Sequence, residues 1–376
     1  MAHSAQGPSI LFDRGPLGTG SWFHRPAHII EAWHPDEVAD ALRAVETEHK
    51  AGKWLAGTAS YELGYALIPK LRGRLPADLG EPLLRFGVFD RVDAPPAPVA
   101  TGDASLGRFK PEWDFPTYKT AFDTIQRYLR DGDIYQANLT FPMTATYEGR
   151  LDRLYEQLKQ KRPVPYGAFV DLGGAKLLCR SPELFFSLSA QGQLRTRPMK
   201  GTVNRGADAA EDEALKTWLR ASEKNQAENL MITDLLRNDF ARISEIGSVR
   251  VPALFEIESY ATVHQMISEV TATIRPDCTL TDILTAVFPC GSITGAPKIR
   301  AMEILSDLET TARDAYCGTI GWIAPDGSME FNVAIRTLAC TADGQAKLNV
   351  GGGVVYDSTA QSEYDEALLK SRFAQL

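Results

Sequence analysis

Residues 166–188 read YGAFVDLGGAKLLCRSPELFFSL. Three apolar runs, Tyr166 to Leu172, Lys176 to Cys179 and Leu184 to Leu188, are parted by Gly-Gly and by Arg-Ser-Pro-Glu, and such short turns join antiparallel strands. Working outward, Ile134 to Phe141 is predicted as a further strand, with Tyr135, Ala137, Leu139 and Phe141 on an apolar face and Gln136, Asn138 and Thr140 on the other. Gly318 to Ala324, Met329 to Leu338 and Lys347 to Tyr356 complete the set of strands. Helical periods fall between them. Pro35 opens one with Val38, Leu42 and Val45 on one side, Tyr118, Phe122, Ile125 and Leu129 stripe a second, and others span Glu223 to Ile243, follow Pro297, and run from Thr359 to Ala374. Without a βαβ rhythm, this order predicts an α+β fold with antiparallel sheets.

Composition places the chain among ordinary soluble globular proteins, because 44% of its 376 residues are hydrophobic and 23% charged. The length alone allows about two or three domains, or one large α+β unit. The net charge of -8 gives nucleic acid no global attraction, so an anionic small molecule would need locally focused positive groups. Cys179, Cys278, Cys290, Cys317 and Cys340 are odd in number and lack C-x-x-C spacing, which fits reduced thiols and a cytoplasmic location. Met1 to Arg14 has no signal-peptide core, and no apolar run reaches membrane-spanning length. Five histidines, His3, His24, His28, His34 and His49, share no period and read as surface residues. The clearest break is DAPPAPVATGD, Asp93 to Asp103, which divides an N-terminal segment (1–105) from the remainder (106–376).

Several short patterns could carry chemistry, and each also has an ordinary reading. Gly351 to Gly353 interrupt a strand, leaving either bare N–H groups for an anion or a sheet corner. Glu363, Glu366 and Lys370 share one helix face, as a salt-bridge ladder or, with Glu228 from another helix, as oxygen ligands of the kind Mg²⁺ takes. Glu183 and Lys200 stand at turns after strands, as an acid and a nucleophile or as surface residues. Gly291 to Lys298, GSITGAPK, lacks the ending of a phosphate loop, and no G-x-S-x-G elbow is present.

Taken in order, RSPELF (180–185), RPMKGT (197–202), AENLMITDLLRND (227–239), CGSITGAPK (290–298), YCGTIGW (316–322), NVAIRT (332–337), GGGVVYDS (351–358) and SEYDEALLK (362–370) resemble the chorismate-utilising enzymes, which include anthranilate, aminodeoxychorismate, isochorismate and salicylate synthases. The resemblance implies two stacked antiparallel sheets surrounded by helices, with the N-terminal segment completing the same sandwich and the Pro-rich stretch acting as a surface connection. It also implies a cleft for chorismate and one Mg²⁺. Residue by residue, Glu228 and Glu366 match the magnesium ligands and Glu363 a neighbouring carboxylate. Arg336, Lys370, Tyr316, Thr294 and the backbone of Gly351, Gly352 and Gly353 match groups around the substrate. His264, in ATVHQM, matches the family's active-site histidine.

Two positions discriminate within the family. Members that add water carry a lysine base where this chain has Gln136, and an amide cannot deprotonate water at neutral pH. Lys200 occupies a position where aminodeoxychorismate synthases have lysine and anthranilate synthases alanine. Met199, where the family usually shows Ile, is a conservative departure. The resemblance therefore implies amination of chorismate, with Lys200 as nucleophile, Glu183 as general acid, and ammonia supplied by a glutamine amidotransferase subunit. Two alternatives stand beside this reading: anthranilate synthesis, separable by product fluorescence, and a catalytically silent docking subunit, against which the intact set of site residues argues.

Overall fold

The computed structural model describes residues 7–97, 103–260 and 263–376. His3, residues 98–102 of the Pro-rich stretch, and Ala261 and Thr262 of the ATVHQM run lie outside the described residues. The strands form two antiparallel sheets. The first runs Gly295–Ala296, Gln136–Gly149, Gln345–Val354, Thr337–Cys340, Lys176–Ser181, Tyr166–Asp171, Ser9–Phe12 and Ser21–His24. The second runs Met199–Asn204, Val263–Thr273, Gln193–Arg197, Leu184–Leu188, Met329–Asn332, Thr319–Ile323, Trp54–Ala59, Leu84–Phe89 and His28–Ala32, with Arg250–Ser259 also paired to Val263–Thr273.

Side-chain alternation decides how the layers stack. Ile10, Phe12, Phe23, Val170 and Leu177 of the first sheet meet Ala56, Phe89, Ile320 and Trp322 of the second in one apolar cluster. The outer face of the first sheet, Leu139, Phe141, Met143, Leu348 and Val350, packs against the helices Phe115–Arg130, Lys298–Leu308 and Ala360–Lys370. The outer face of the second is covered by Pro35–Lys50, Glu223–Ala241 and Leu280–Val287. The chain is thus an α+β sandwich of two sheets between two helical layers. Strands from residues 9–89 enter both sheets, two in the first and three in the second.

Two differences from the sequence reading have physical causes. The predicted strand Met329 to Leu338 is two strands, Met329–Asn332 and Thr337–Cys340, one in each sheet, because the chain turns at Arg336, whose φ is 51°. The strand from Gln136 does not stop at Phe141 but continues to Gly149, pairing with Gln345–Val354 through Thr146↔Gln345. Among the described residues, no helix is long and apolar enough to cross a membrane. The five cysteines are free thiols.

Arg180 ties the N-terminal segment to the sandwich. Its side chain is 1% exposed, its guanidinium donates to Asp13, to Tyr155 Oη at 3.1 Å and to the Arg162 carbonyl at 2.8 Å, and it lies over the Tyr155 ring. Without it the mostly buried Asp13 carboxylate keeps only Lys159 at 3.1 Å and the Tyr155 hydroxyl at 3.0 Å, so Arg180→Ala is expected to lower stability in urea unfolding by about 1–3 kcal/mol. The double change Arg180→Met with Asp13→Leu is expected to recover much of that loss, since no under-paired charge is then left inside.

Candidate active site

The chain crosses between sheets twice, side by side. Pro182, which has no N–H for either ladder, separates Lys176–Ser181 in the first sheet from Leu184–Leu188 in the second. The return crossing, residues 333–336, runs antiparallel beside it: Ser181 Oγ donates to the Val333 carbonyl at 2.6 Å, Val333 N–H to the Glu183 carbonyl at 3.1 Å, and Arg180 N–H to the Arg336 carbonyl at 2.9 Å. Glu183 and Arg336 therefore come from adjoining backbone. The Glu183 carboxyl is buried and pushed up to about 7, chiefly by desolvation, against the pull of a Ser292 hydrogen bond and the charges of Lys200 and Arg336. Burial, with Arg162 as a second positive charge, lowers the Arg336 guanidinium, and no side-chain hydrogen bond or ion pair ties it to the described residues. It is a cation held ready for an outside anion.

Lys200 is aimed by an irregularity. The strand Met199–Asn204 pairs Met199↔Ile267 and Thr202↔Gln265, so its register slips at Lys200 and Gly201, and a bulge redirects the side chain there. Gly201 has φ of 91°, and a Cβ on it would lie 3.0 Å from Asn225 Oδ1, so the helix Glu223–Ala241 can approach only a glycine. Burial holds the Lys200 amine below the usual lysine range; Glu228, Glu183 and Glu366 pull it up, and Lys370 pushes it down further. Four side chains from three parts of the fold thus act on one nitrogen. Glu228 itself stands 4.0 Å from Lys224, one turn earlier.

The glycine run meets the last helix. A Cβ on Gly351 would sit 2.2 Å from the Leu139 carbonyl, one on Gly352 3.0 Å from Glu363 Oε2, and one on Gly353 2.9 Å from the Gln136 amide carbon. Asn138 and Thr140 give their N–H groups to Thr294 O and Glu309 Oε1, so the pairs Gly353↔Asn138 and Gly351↔Thr140 are the non-hydrogen-bonded ones of the ladder. The Gly351 and Gly353 N–H groups must therefore point away from that ladder. On this open side Lys370 Nζ donates to Gly351 O at 2.9 Å and pairs with Glu366 at 2.9 Å. Burial raises the Glu363 carboxyl, opposed by the Ser358 hydroxyl that donates to it at 2.6 Å. Burial also works to raise Glu366, but the charge and hydrogen bond of Lys370 outweigh it and hold that carboxyl below its usual range. The site has two halves, Glu183 and Arg336 on one side and Glu363, Glu366 and Lys370 on the other, with Lys200 and Glu228 between them in charge interaction.

A family model described as chorismate binding enzyme matches residues 7–375. The chain belongs to that family. Aminodeoxychorismate synthase component 1 of Klebsiella aerogenes is 43% identical over 279 residues, covering 74% of this chain and 61% of that protein. The protein of the same name from Escherichia coli strain K12 is 44% identical over 253 residues, covering 67% of this chain and 55% of its own length. The chain thus spans less than two thirds of the length of either relative. Anthranilate synthase component I from Streptococcus pneumoniae TIGR4 superposes with a TM-score of 0.82 at 27% identity, over 100% of this chain and 94% of that one.

The remaining expected site residues of this family member are placed differently. His264 is buried on the strand Val263–Thr273, and both ring nitrogens are engaged, Nδ1 with Ser259 Oγ at 2.8 Å and Nε2 with Asp212 at 2.9 Å, and neither with Glu183 or Lys200. The Thr294 hydroxyl donates to the Cys290 and Gly291 carbonyls and is buried, so it shapes its turn and offers a ligand no proton. Tyr316 lines a cavity of about 260 Å³ together with Thr337, Lys347 and Asn349. Lys298, the lysine of GAPK, holds the buried Asp239 at 2.7 Å and the Val287 carbonyl, which makes it a tether of its loop. Ser292, which touches Glu183, gives no signal in the sequence, since a single serine inside a motif has no period or partner visible there.

Gln136 is fully buried, and neither its amide oxygen nor its nitrogen has a hydrogen-bond partner. A buried orphan of this kind costs stability unless a ligand satisfies it. Gln136→Leu, of similar volume, is expected to leave stability unchanged or raise it by about 1–3 kcal/mol in urea unfolding of the ligand-free protein.

Proposed function

We propose that the chain is the chorismate-aminating component of an aminodeoxychorismate synthase, working in the cytoplasm and converting chorismate and ammonia to 4-amino-4-deoxychorismate. The observation that carries the reading is the Lys200 amine: on a half-buried side chain, it is held below the ordinary lysine range by desolvation and set among Glu183, Glu228 and Glu366. Anthranilate formation needs no lysine there. The names of the two curated relatives support the same choice.

The residues divide the reaction as follows. Chorismate carries two carboxylates, and Arg336, Lys370 and the Gly351 and Gly353 N–H groups are the available counter-charges and donors. Glu183, protonated up to about pH 7, gives its proton to the C4 hydroxyl, which leaves as water while the free Lys200 amine bonds to C2 and the ring double bond shifts. Glu183, now a carboxylate, takes the proton of the resulting alkylammonium. Ammonia then bonds to C4, the double bond shifts back, and Lys200 departs with the proton returned from Glu183. Two displacements retain the geometry at C4.

Ammonia is the nucleophile of the second step, and a glutamine amidotransferase subunit is the proposed source. The free cysteines do not supply a glutaminase: Cys179, Cys290, Cys317 and Cys340 are buried, and burial raises the thiol of each of the five. Glu228, Glu366 and Glu363 would hold Mg²⁺, the last directly or through water. Their donor set is oxygen only, as Mg²⁺ prefers, while Glu228 and Glu366 each stand near a lysine one turn away and no three His, Cys, Asp or Glu side chains among the described residues are gathered as a metal site. Bound there, Mg²⁺ would supply Lewis-acid stabilisation of negative charge on the substrate.

The purified chain with chorismate, Mg²⁺ and ammonium salt is expected to yield 4-amino-4-deoxychorismate by mass spectrometry, and Lys200→Ala to lose that product by orders of magnitude while still binding chorismate. Fluorescent anthranilate as the main product would refute the reading. Separately, Glu228→Gln and Glu366→Gln are each expected to raise the Mg²⁺ concentration for half-activation about 10-fold or more, because each removes a charged oxygen from a site with few protein ligands.

A further inference from the structure

Glu183 is not held by its backbone alone. Ser292, in the short turn Gly291–Ile293, is 5% exposed, and its Oγ donates to Glu183 Oε1 at 2.7 Å. Cys290 Sγ lies 3.2 Å from the same Oγ. A serine has one proton, and at 2.7 Å it is committed to the carboxyl, so the thiol must be the donor of the second contact. Burial, and after it the charge of Glu183, pushes that thiol up to about 12, which keeps it an S–H donor through the working pH range. The turn is pinned from both ends, by the Thr294 hydroxyl on the Cys290 carbonyl at 3.1 Å and by the Lys298 tether to Asp239 at 2.7 Å.

We propose that Ser292, held in turn by Cys290, is the positioning residue that reserves Glu183 Oε1 as an acceptor and so confines the transferable proton to Oε2. This rests on the reading of Glu183 as the acid. A proton on Oε1 would require the Ser292 hydroxyl to turn its own proton away and accept instead, giving up the donated bond, whereas Oε2 makes no hydrogen bond with the described residues and takes a proton with no such rearrangement. The charged groups facing the carboxyl are Lys200 from the bulged strand and Arg336 from the return crossing, and the turn contributes the neutral Ser292 and Cys290. Ser292 thereby joins the CGSITGAPK run to the proposed chemistry, as a director of the acid that does not itself touch substrate.

The sign of the test follows from which form the bond favours. A donated hydroxyl stabilises the carboxylate, so its loss must raise the Glu183 pKa from about 7, extending the protonated form to higher pH. The experiment is ¹³C NMR titration of protein labelled at the Glu carboxyl carbons, with Glu183 assigned through Glu183→Gln, run beside the pH profile of kcat/KM for chorismate and ammonium. Ser292→Ala is expected to move the Glu183 midpoint and the alkaline limb upward together by about one to two pH units, and to lower kcat with little change in KM. Ser292→Cys, which keeps the volume and a weaker donor, is expected to fall between. A midpoint and limb that stay put in both variants overturn the inference, even if turnover drops. A midpoint that moves in a chain with no product formation supports the Ser292 tie and refutes the functional reading instead.

Discussion

The paired crossing of residues 181–183 and 333–336 is the constraint on which the rest of the site depends. A two-sheet sandwich normally keeps each strand in one sheet, and its interior is apolar. Here two adjacent segments leave the first sheet and enter the second together, and each supplies the backbone partners the other lacks, through the Val333, Glu183 and Arg336 carbonyls. Backbone groups that would be orphaned at a sheet corner are thereby paired. A carboxyl and a guanidinium can then be planted at the seam, where water is scarce and charges act at longer reach. The strained φ of Arg336 is a local cost of that arrangement, borne because the neighbouring crossing leaves the backbone no other course.

The second half of the site is positioned by absent side chains. Gly351, Gly352 and Gly353 each have a neighbour where a Cβ would stand, respectively the Leu139 carbonyl, Glu363 and the Gln136 amide. The alternation of the antiparallel ladder then turns two of their N–H groups outward, beside Lys370. An acidic chain of net charge -8 thus concentrates positive character at a few points. Arg336 has no side-chain partner among the described residues, Lys370 is anchored between Gly351 O and Glu366, and Lys200 is driven toward its neutral form by burial. For the proposed amination these differences matter: Arg336 and Lys370 are placed to meet the carboxylates, and burial favours the uncharged, nucleophilic form of Lys200.

The helical periods over Pro35 to Gly52 and Tyr118 to Gly132 were legible because a stripe at spacings of three and four repeats over several turns, and the structure places helices at Pro35–Lys50 and Phe115–Arg130. Leu184–Leu188 is a strand with the bounds its apolar run suggests. The split of Met329 to Leu338 was not legible, since a residue with positive φ such as Arg336 leaves no compositional trace when it is not glycine. Nor was the hairpin of Arg250–Ser259 with Val263–Thr273, whose alternation is diluted by charged residues that pair across strands, Arg195 and Arg197 with Glu269, and Arg197 with Glu258.

The order of amino acids carries the fold class and the family, because periodicity and motif order are properties of the chain read along its length. It also supplied the chemical identity of the key groups, an amide at Gln136 and an amine at Lys200. Which of them share a field depends on how the chain packs. Glu228 and Glu366 lie 138 positions apart in the chain and act on the same Lys200 nitrogen. His264, a motif residue, is bound instead to Ser259 and Asp212, while Ser292, in the same CGSITGAPK run as Thr294, reaches Glu183 from 109 positions away. Burial and hydrogen bonding act through space over a few ångströms, and the packing of helices on two crossed sheets sets those distances.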